Sequence, residues 1–145
     1  MALQKAEKFD VVSPFGGDPF VGHLSTPITS SNLTKTYLNL LPAYKSGLSP
    51  LLRGINIGFV HGYLLLGPFV KLGPLRDSEA ANFIGFVSTI SLLVILTVCL
   101  IIYGFVTFSQ GNDSDEMVVV NFLTSKGWKQ FTSGFIVGGF GGAGI

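Results

Sequence analysis

Charge is what this chain of 145 residues has least of: Asp, Glu, Lys and Arg together make up 12% of it, against 48% hydrophobic residues. Soluble domains carry about a quarter charged residues, so the composition points to a protein with little water around it. The net charge is +1, and no basic surface argues for a nucleic-acid partner. A single cysteine, Cys99, excludes an internal disulfide and a Cys-rich metal site. Set in a long apolar run, Cys99 reads as a small packed hydrophobe. Residues 1–10 have neither an apolar core nor a small-residue cleavage site, so they do not form a secretory signal peptide. Enzyme signatures are missing too: there is no Gly-x-Ser-x-Gly, no phosphate-binding glycine loop with lysine, no zinc-protease histidine pair and no Cys-x-x-Cys. The chain does not read as an enzyme.

What is present is long runs without charge. Residues 55–70 and 80–108 contain no Asp, Glu, Lys or Arg. The second run, as a helix, extends about 43 Å, more than the roughly 30 Å hydrocarbon core of a bilayer. The first, with its flanks, predicts a span over residues 51–72, with Pro50 at its first helical position and Pro68 kinking or ending it near the far interface. The stretch 71–79, with Lys71, Arg76, Asp77 and Glu79, is the turn between two antiparallel helices. Residues 110–130 are polar again. Asn112, Asp113, Asp115 and Glu116 fail the calcium-loop pattern and read as a solvated acidic turn. Trp128, between Lys126 and Lys129, marks an interface. Residues 131–145 begin a third span that is incomplete, since fifteen helical residues reach only about 22 Å.

Residues 1–49 differ: Pro14, Gly16, Gly17, Pro19, Pro27, Pro42 and Gly47 interrupt them too often for a long helix. A short amphipathic helix over 33–41, capped by Ser30, Ser31 or Asn32, is expected within a surface segment. The fold class is thus all-α: a transmembrane bundle of three spans (51–72, 80–108 and an incomplete 131–145) within residues 50–145, behind a turn-rich surface segment, 1–49. Lys5, Lys8, Lys35, Lys45, Arg53, Lys126 and Lys129 fall on one side of that bundle and only Lys71 and Arg76 on the other. The positive-inside rule puts the N-terminus on the cytoplasmic or stromal side.

Small and polar residues within the spans carry the functional signal. Gly54, Gly58 and Gly62 repeat every four residues, as do Gly134, Gly138 and Gly142. Such stripes admit another helix or a flat ligand close to the backbone. His61 lies at mid-span, where an ionisable residue is a functional hypothesis. Its neutral imidazole can give a lone pair to a metal such as the magnesium of a chlorophyll, with the glycines leaving room for the macrocycle, or it can bond to a neighbouring helix. Asn56, about 140° around the helix from His61, contacts either a separate cofactor or another helix. His23 reads as a turn histidine. Asp77 pairs with Arg76 or Lys71, or binds a cation.

Several strings stand here in a recognisable order: Gly17-Asp-Pro-Phe-Val-Gly-His-Leu-Ser-Thr-Pro27, Leu41-Pro-Ala-Tyr44, Gly47-Leu-Ser-Pro50, Leu52-Arg-Gly54, His61-Gly-Tyr63, Leu72-Gly-Pro-Leu-Arg-Asp-Ser78 and Gly127-Trp128. In order and spacing the chain from Gly17 onward resembles the photosystem I subunit XI (subunit L, PsaL) family. The resemblance implies a non-catalytic, three-helix subunit of the thylakoid membrane with a stromal or cytoplasmic N-terminus. It implies binding of antenna chlorophyll a and β-carotene, and a part in oligomerisation or docking of the complex. Its partners would be the core and small subunits, the lipid membrane and other copies of the complex.

His61 matches a family position that ligates chlorophyll magnesium. Asn56 stands where the family commonly has glutamate; an amide oxygen can also coordinate a hard cation, directly or through water. Asp77, with the backbone near Pro74, matches a loop beside a bound cation, a calcium ion, at an oligomer interface. The family's third span runs past Ile145 into a tail that helps set the oligomeric state. Two readings from other classes stand beside this one: a fragment of a transporter or channel with His61 and Asn56 lining a polar path, and a pigment-free assembly scaffold.

Overall fold

A computed structural model describes residues 11–108 and 123–145. The acidic turn expected at 112–116 and the reading of residues 1–10 lie outside the described residues. The described chain is mostly helical and divides into two compact units, residues 1–46 and 47–145.

The first unit is built from turns. Strands β1 (Ser13–Pro14) and β2 (Leu24–Ser25) form a two-residue antiparallel ladder, pairing Ser13 with Ser25 and Pro14 with Leu24. This small addition to an all-α expectation closes over two 3-10 turns, Phe15–Gly17 and Pro19–Val21. Asp18 caps the second turn by accepting from the Phe20 amide at 2.9 Å, and Gly22 leaves it in the left-handed region (φ 69°) that L side chains avoid. His23 belongs to the turn itself: its carbonyl accepts from the Phe15 amide at 2.8 Å and its ring rests on Phe15. Helix α1 (Asn32–Leu40) follows, with Ser31 as the cap that accepts from the Thr34 amide.

The second unit consists of three long helices. Ser49 caps α2 (Pro50–Leu72) by accepting from the Leu52 amide, and Pro50 takes the first turn, where its missing N–H costs nothing. Of the two expectations at Pro68, a kink or an end, the end is not met: the helix runs through it to Leu72, the expected limit of the span; proline is tolerated in apolar helices where neighbouring groups satisfy the freed carbonyl. A tight turn at 73–80 leads into α3 (Ala81–Phe108), where the Ser78 hydroxyl donates to the Leu75 carbonyl at 2.8 Å. Helix α4 (Ser125–Ala143) begins six residues before the apolar stretch expected from the sequence, because Thr124 caps it by accepting from the Gly127 amide at 3.1 Å. Lys126, Lys129 and Gln130, read as loop, form its first turns. Helices α2 and α3, at 23 and 28 residues, are long and apolar enough to cross a membrane.

Glycine sets how the helices meet. A Cβ built at Gly54, Gly58 or Gly62 would fall on the carbonyl oxygens of Phe131, Phe135 and Gly139 respectively; one at Gly134, Gly138 or Gly142 would fall on those of Leu51, Ile55 and Phe59. The order of these pairs makes α2 and α4 parallel, in contact backbone to backbone along three turns. Six glycine Cα–H groups thereby face carbonyl oxygens, contacts worth about 0.5–1 kcal/mol each. Helix α3 runs antiparallel to both, with Gly85 against Val70, Leu93 against Gly139 and Gly104 against Trp128. The core is small: Leu93, Phe135 and Ala143, flanked by Ile57, Leu65, Ile90, Leu96 and Leu100. The polar residues buried here bond back into their own helices, Thr89 to the Gly85 carbonyl, Thr97 to that of Leu93 and Thr132 to that of Trp128. No buried hydroxyl among these three is left without an acceptor, as an apolar setting requires.

Candidate functional site

The site is built outward from α2. The Gly58 and Gly62 face is closed by α4, so the room the sequence offered beside His61 is taken by a helix, and the stripe serves packing. The His61 side chain lies on the exposed side of that seam. Its Nδ1 is 2.8 Å from the carbonyl oxygen of Ile57, one turn back on the same helix. A carbonyl can only accept, so Nδ1 carries the proton and, in the neutral tautomer, the lone pair lies on Nε2. The ring is held from a second direction by the buried Phe135, in an edge contact at 5.5 Å and 64°. An imidazole fixed through Nδ1–H to a main-chain carbonyl, with Nε2 exposed, is the arrangement metal-binding histidines use.

Ile57 and Phe135 are the parts of this site that sequence reasoning missed. The histidine's reach to a carbonyl four residues back is implicit in helical geometry and could have been read from spacing. Phe135 could not, since it depends on the α2–α4 register.

Asn56 is exposed on α2 and its side chain makes no hydrogen bond with the described residues. The structure does not bring it together with His61, in keeping with their angular separation. Asp77 sits at the tip of the α2–α3 turn, with its side chain 87% exposed and Oδ2 3.7 Å from Nε of Arg76. The three residues are thus separate. Among the described residues no three His, Cys, Asp or Glu side chains gather to hold a metal ion. His61 stands apart from other such side chains, and what it could give a metal within the spans is one ligand.

Trp128 makes a contact that its sequence reading as an interface residue did not include. Its Nε1 donates to the Leu100 carbonyl on α3 at 2.7 Å. Its ring lies against Gly104, among Tyr103, Phe108 and Phe131 at 5.2–5.6 Å. It ties α4 to α3.

Comparison with known proteins decides the family. The family model of photosystem I reaction centre subunit XI matches residues 11–145. The chain belongs to the photosystem I reaction centre subunit XI family. Its relatives named photosystem I reaction center subunit XI include that of Thermosynechococcus vestitus, 54% identical over 134 residues, which is 92% of this chain and 84% of the relative. That of Trieres chinensis is 56% identical over 134 residues, 92% and 88% of the two chains. That of Trichodesmium erythraeum is 53% identical over 141 residues, 97% and 86%. Subunit XI is a non-catalytic structural subunit, and this agrees with a chain in which no catalytic motif was found.

Proposed function

We propose that the chain is a pigment-holding, three-span subunit of photosystem I in the thylakoid membrane. Helices α2, α3 and α4 cross the bilayer up, down and up, and the N-terminus faces the stroma or cytoplasm. The excess of lysine and arginine on the side shared by the starts of α2 and α4 supports that orientation. His61 would hold a chlorophyll through its magnesium. The observation that carries this is the Nδ1 contact with the Ile57 carbonyl, which leaves Nε2 outward on an exposed helix face. Chlorophyll, when bound, supplies light absorption and excitation transfer; the chain supplies position. The exposed Asn56 amide would serve a second pigment, directly or through water, because an amide facing hydrocarbon needs a partner. β-Carotene would lie against the exposed apolar surfaces of the bundle, and those surfaces would also meet core subunits and further copies of the complex. Asp77, exposed and singly paired, would contribute at most one ligand to a calcium ion at an oligomer interface.

The test is the chlorophyll content of the complex isolated in mild detergent, wild type against His61→Leu. Loss of about one chlorophyll per copy of this chain, with the photosystem I spectrum otherwise kept, is the expected result. An unchanged content would remove His61 from the ligands and favour a pigment-free scaffold. A complex holding this chain and no chlorophyll would overturn the photosystem role and favour a transporter, in which His61 would be open to water.

A further inference from the structure

Between α3 and α4, on the side away from α2's glycine seam, runs a groove of about 860 Å³ that the pigment reading does not use. Its walls look polar in sequence, with Thr97, Thr132 and Ser133 among them. Each of these hydroxyls, however, donates to a carbonyl of its own helix, at 2.7, 2.8 and 2.9 Å. Trp128 Nε1 is likewise spent on Leu100. The groove therefore offers methyl and ring surface along its length, with Ile101, Phe105 and Ile136 as its apolar side chains. Only one end differs. There Ser125 and Lys129 line the groove in the first turns of α4, and Lys126 lies one turn before Lys129 on the same helix. Among the described residues no carboxylate pairs with Lys129: the ion pair found is that of Arg76 with Asp77.

An apolar channel with a cation and a hydroxyl at one mouth matches an amphiphile with a negative head. The mouth is the end at which α4 begins, and so the membrane surface on the side of the N-terminus. We propose that this groove binds an anionic membrane lipid, its headgroup on Lys129 and Ser125 and one acyl chain along Ile101, Phe105 and Ile136. The inference rests on the membrane reading of α3 and α4 but not on pigment ligation at His61. Charge complementarity selects the headgroup. Hydroxyls that already donate to their own helices can only accept, so a neutral sugar headgroup deep in the groove would find no free hydroxyl donor for its own oxygens there.

The test uses the intact complex carrying wild-type, Lys129→Gln, Lys129→Arg or Ile136→Trp chain, with extracted phosphatidylglycerol and neutral galactolipid counted per copy. Expected is one phosphatidylglycerol lost in Lys129→Gln and in Ile136→Trp and kept in Lys129→Arg, with galactolipid and chlorophyll unchanged. An anionic-lipid count equal in all four, or a wild-type complex with none, would overturn the proposal, as would equal loss of neutral lipid. Should Ile136→Trp fail to assemble, the pair at Lys129 still decides. Chlorophyll content, read in the same samples, keeps failure here distinct from failure of the pigment reading.

Discussion

On one side of α4 the contacts run backbone to backbone; on the other they run through side chains. Toward α2, Gly134, Gly138 and Gly142 meet the carbonyls of Leu51, Ile55 and Phe59, and the facing glycines return the contact. Toward α3, Gly139 meets the side-chain methyls of Leu93, and Trp128 reaches across to Leu100. In lipid there is little hydrophobic gain from bringing two helices together, so close van der Waals contact and interhelical hydrogen bonds must supply the energy. The α2 seam relies on the first, with weak Cα–H contacts to carbonyls beside it. The α3 seam relies on both, with one long-reaching aromatic. The difference lies in what can yield: a carbonyl in a helix cannot move without breaking the helix, whereas a leucine can change rotamer.

Neighbouring positions on α4 can break this comparison. Gly138→Ala places a methyl on the Ile55 carbonyl and should cost roughly 3 kcal/mol or more, the upper end for overpacking a core. The measurement is retention of the chain in the isolated complex during mild heating. Trp128→Phe keeps most of the ring but loses the 2.7 Å bond to Leu100. It should cost about 1 kcal/mol, read in the same assay. Gly139→Ala meets Leu93 Cδ2 and Cδ1 at 3.0 and 3.1 Å, so the leucine side chain has to give by a few tenths of an ångström where a carbonyl would have to give far more. Alanine's better helix propensity, worth about 1 kcal/mol, then leaves the variant close to wild type. Gly141→Ala has nothing within 4 Å and should equal or slightly exceed wild type. If Gly138→Ala and Gly139→Ala were equally damaging, the distinction between the two seams would not stand.

The same contrast explains what could be read from the sequence. Helices α2 and α3 were legible because each contains a long run without charge, which membrane-spanning helices need and soluble ones rarely keep. The beginning of α4 was not, because Lys126, Lys129 and Gln130 carry a polar signature whether they lie in a loop or in the first turns of a helix; only the Thr124 cap separates the two. Pro68 reads in sequence as a kink or an end; α2 passes through it to Leu72, the bound that the charge-free run and its flank give. Both glycine stripes were visible, but not that they face each other, since a period of four names a face and not its partner. That ambiguity also left open a pigment beside Gly58 and Gly62, where the structure places α4. His61 stood out as an imidazole in an apolar run. Its supports, the Ile57 carbonyl and Phe135, were hidden because a main-chain acceptor leaves no mark on composition and Phe135 arrives by tertiary register. Trp128 to Leu100 escaped notice for the first of these reasons.

If His61 holds a pigment, Nε2 is the atom that faces it, since Nδ1 is taken by the Ile57 carbonyl. A side-chain-resolution density map of the native complex tests it most directly. The prediction is a chlorophyll macrocycle whose magnesium lies at bonding distance from His61 Nε2, with Nδ1 still on the Ile57 carbonyl. A map in which that nitrogen meets lipid, water or another subunit, with no macrocycle beside it, would contradict the account.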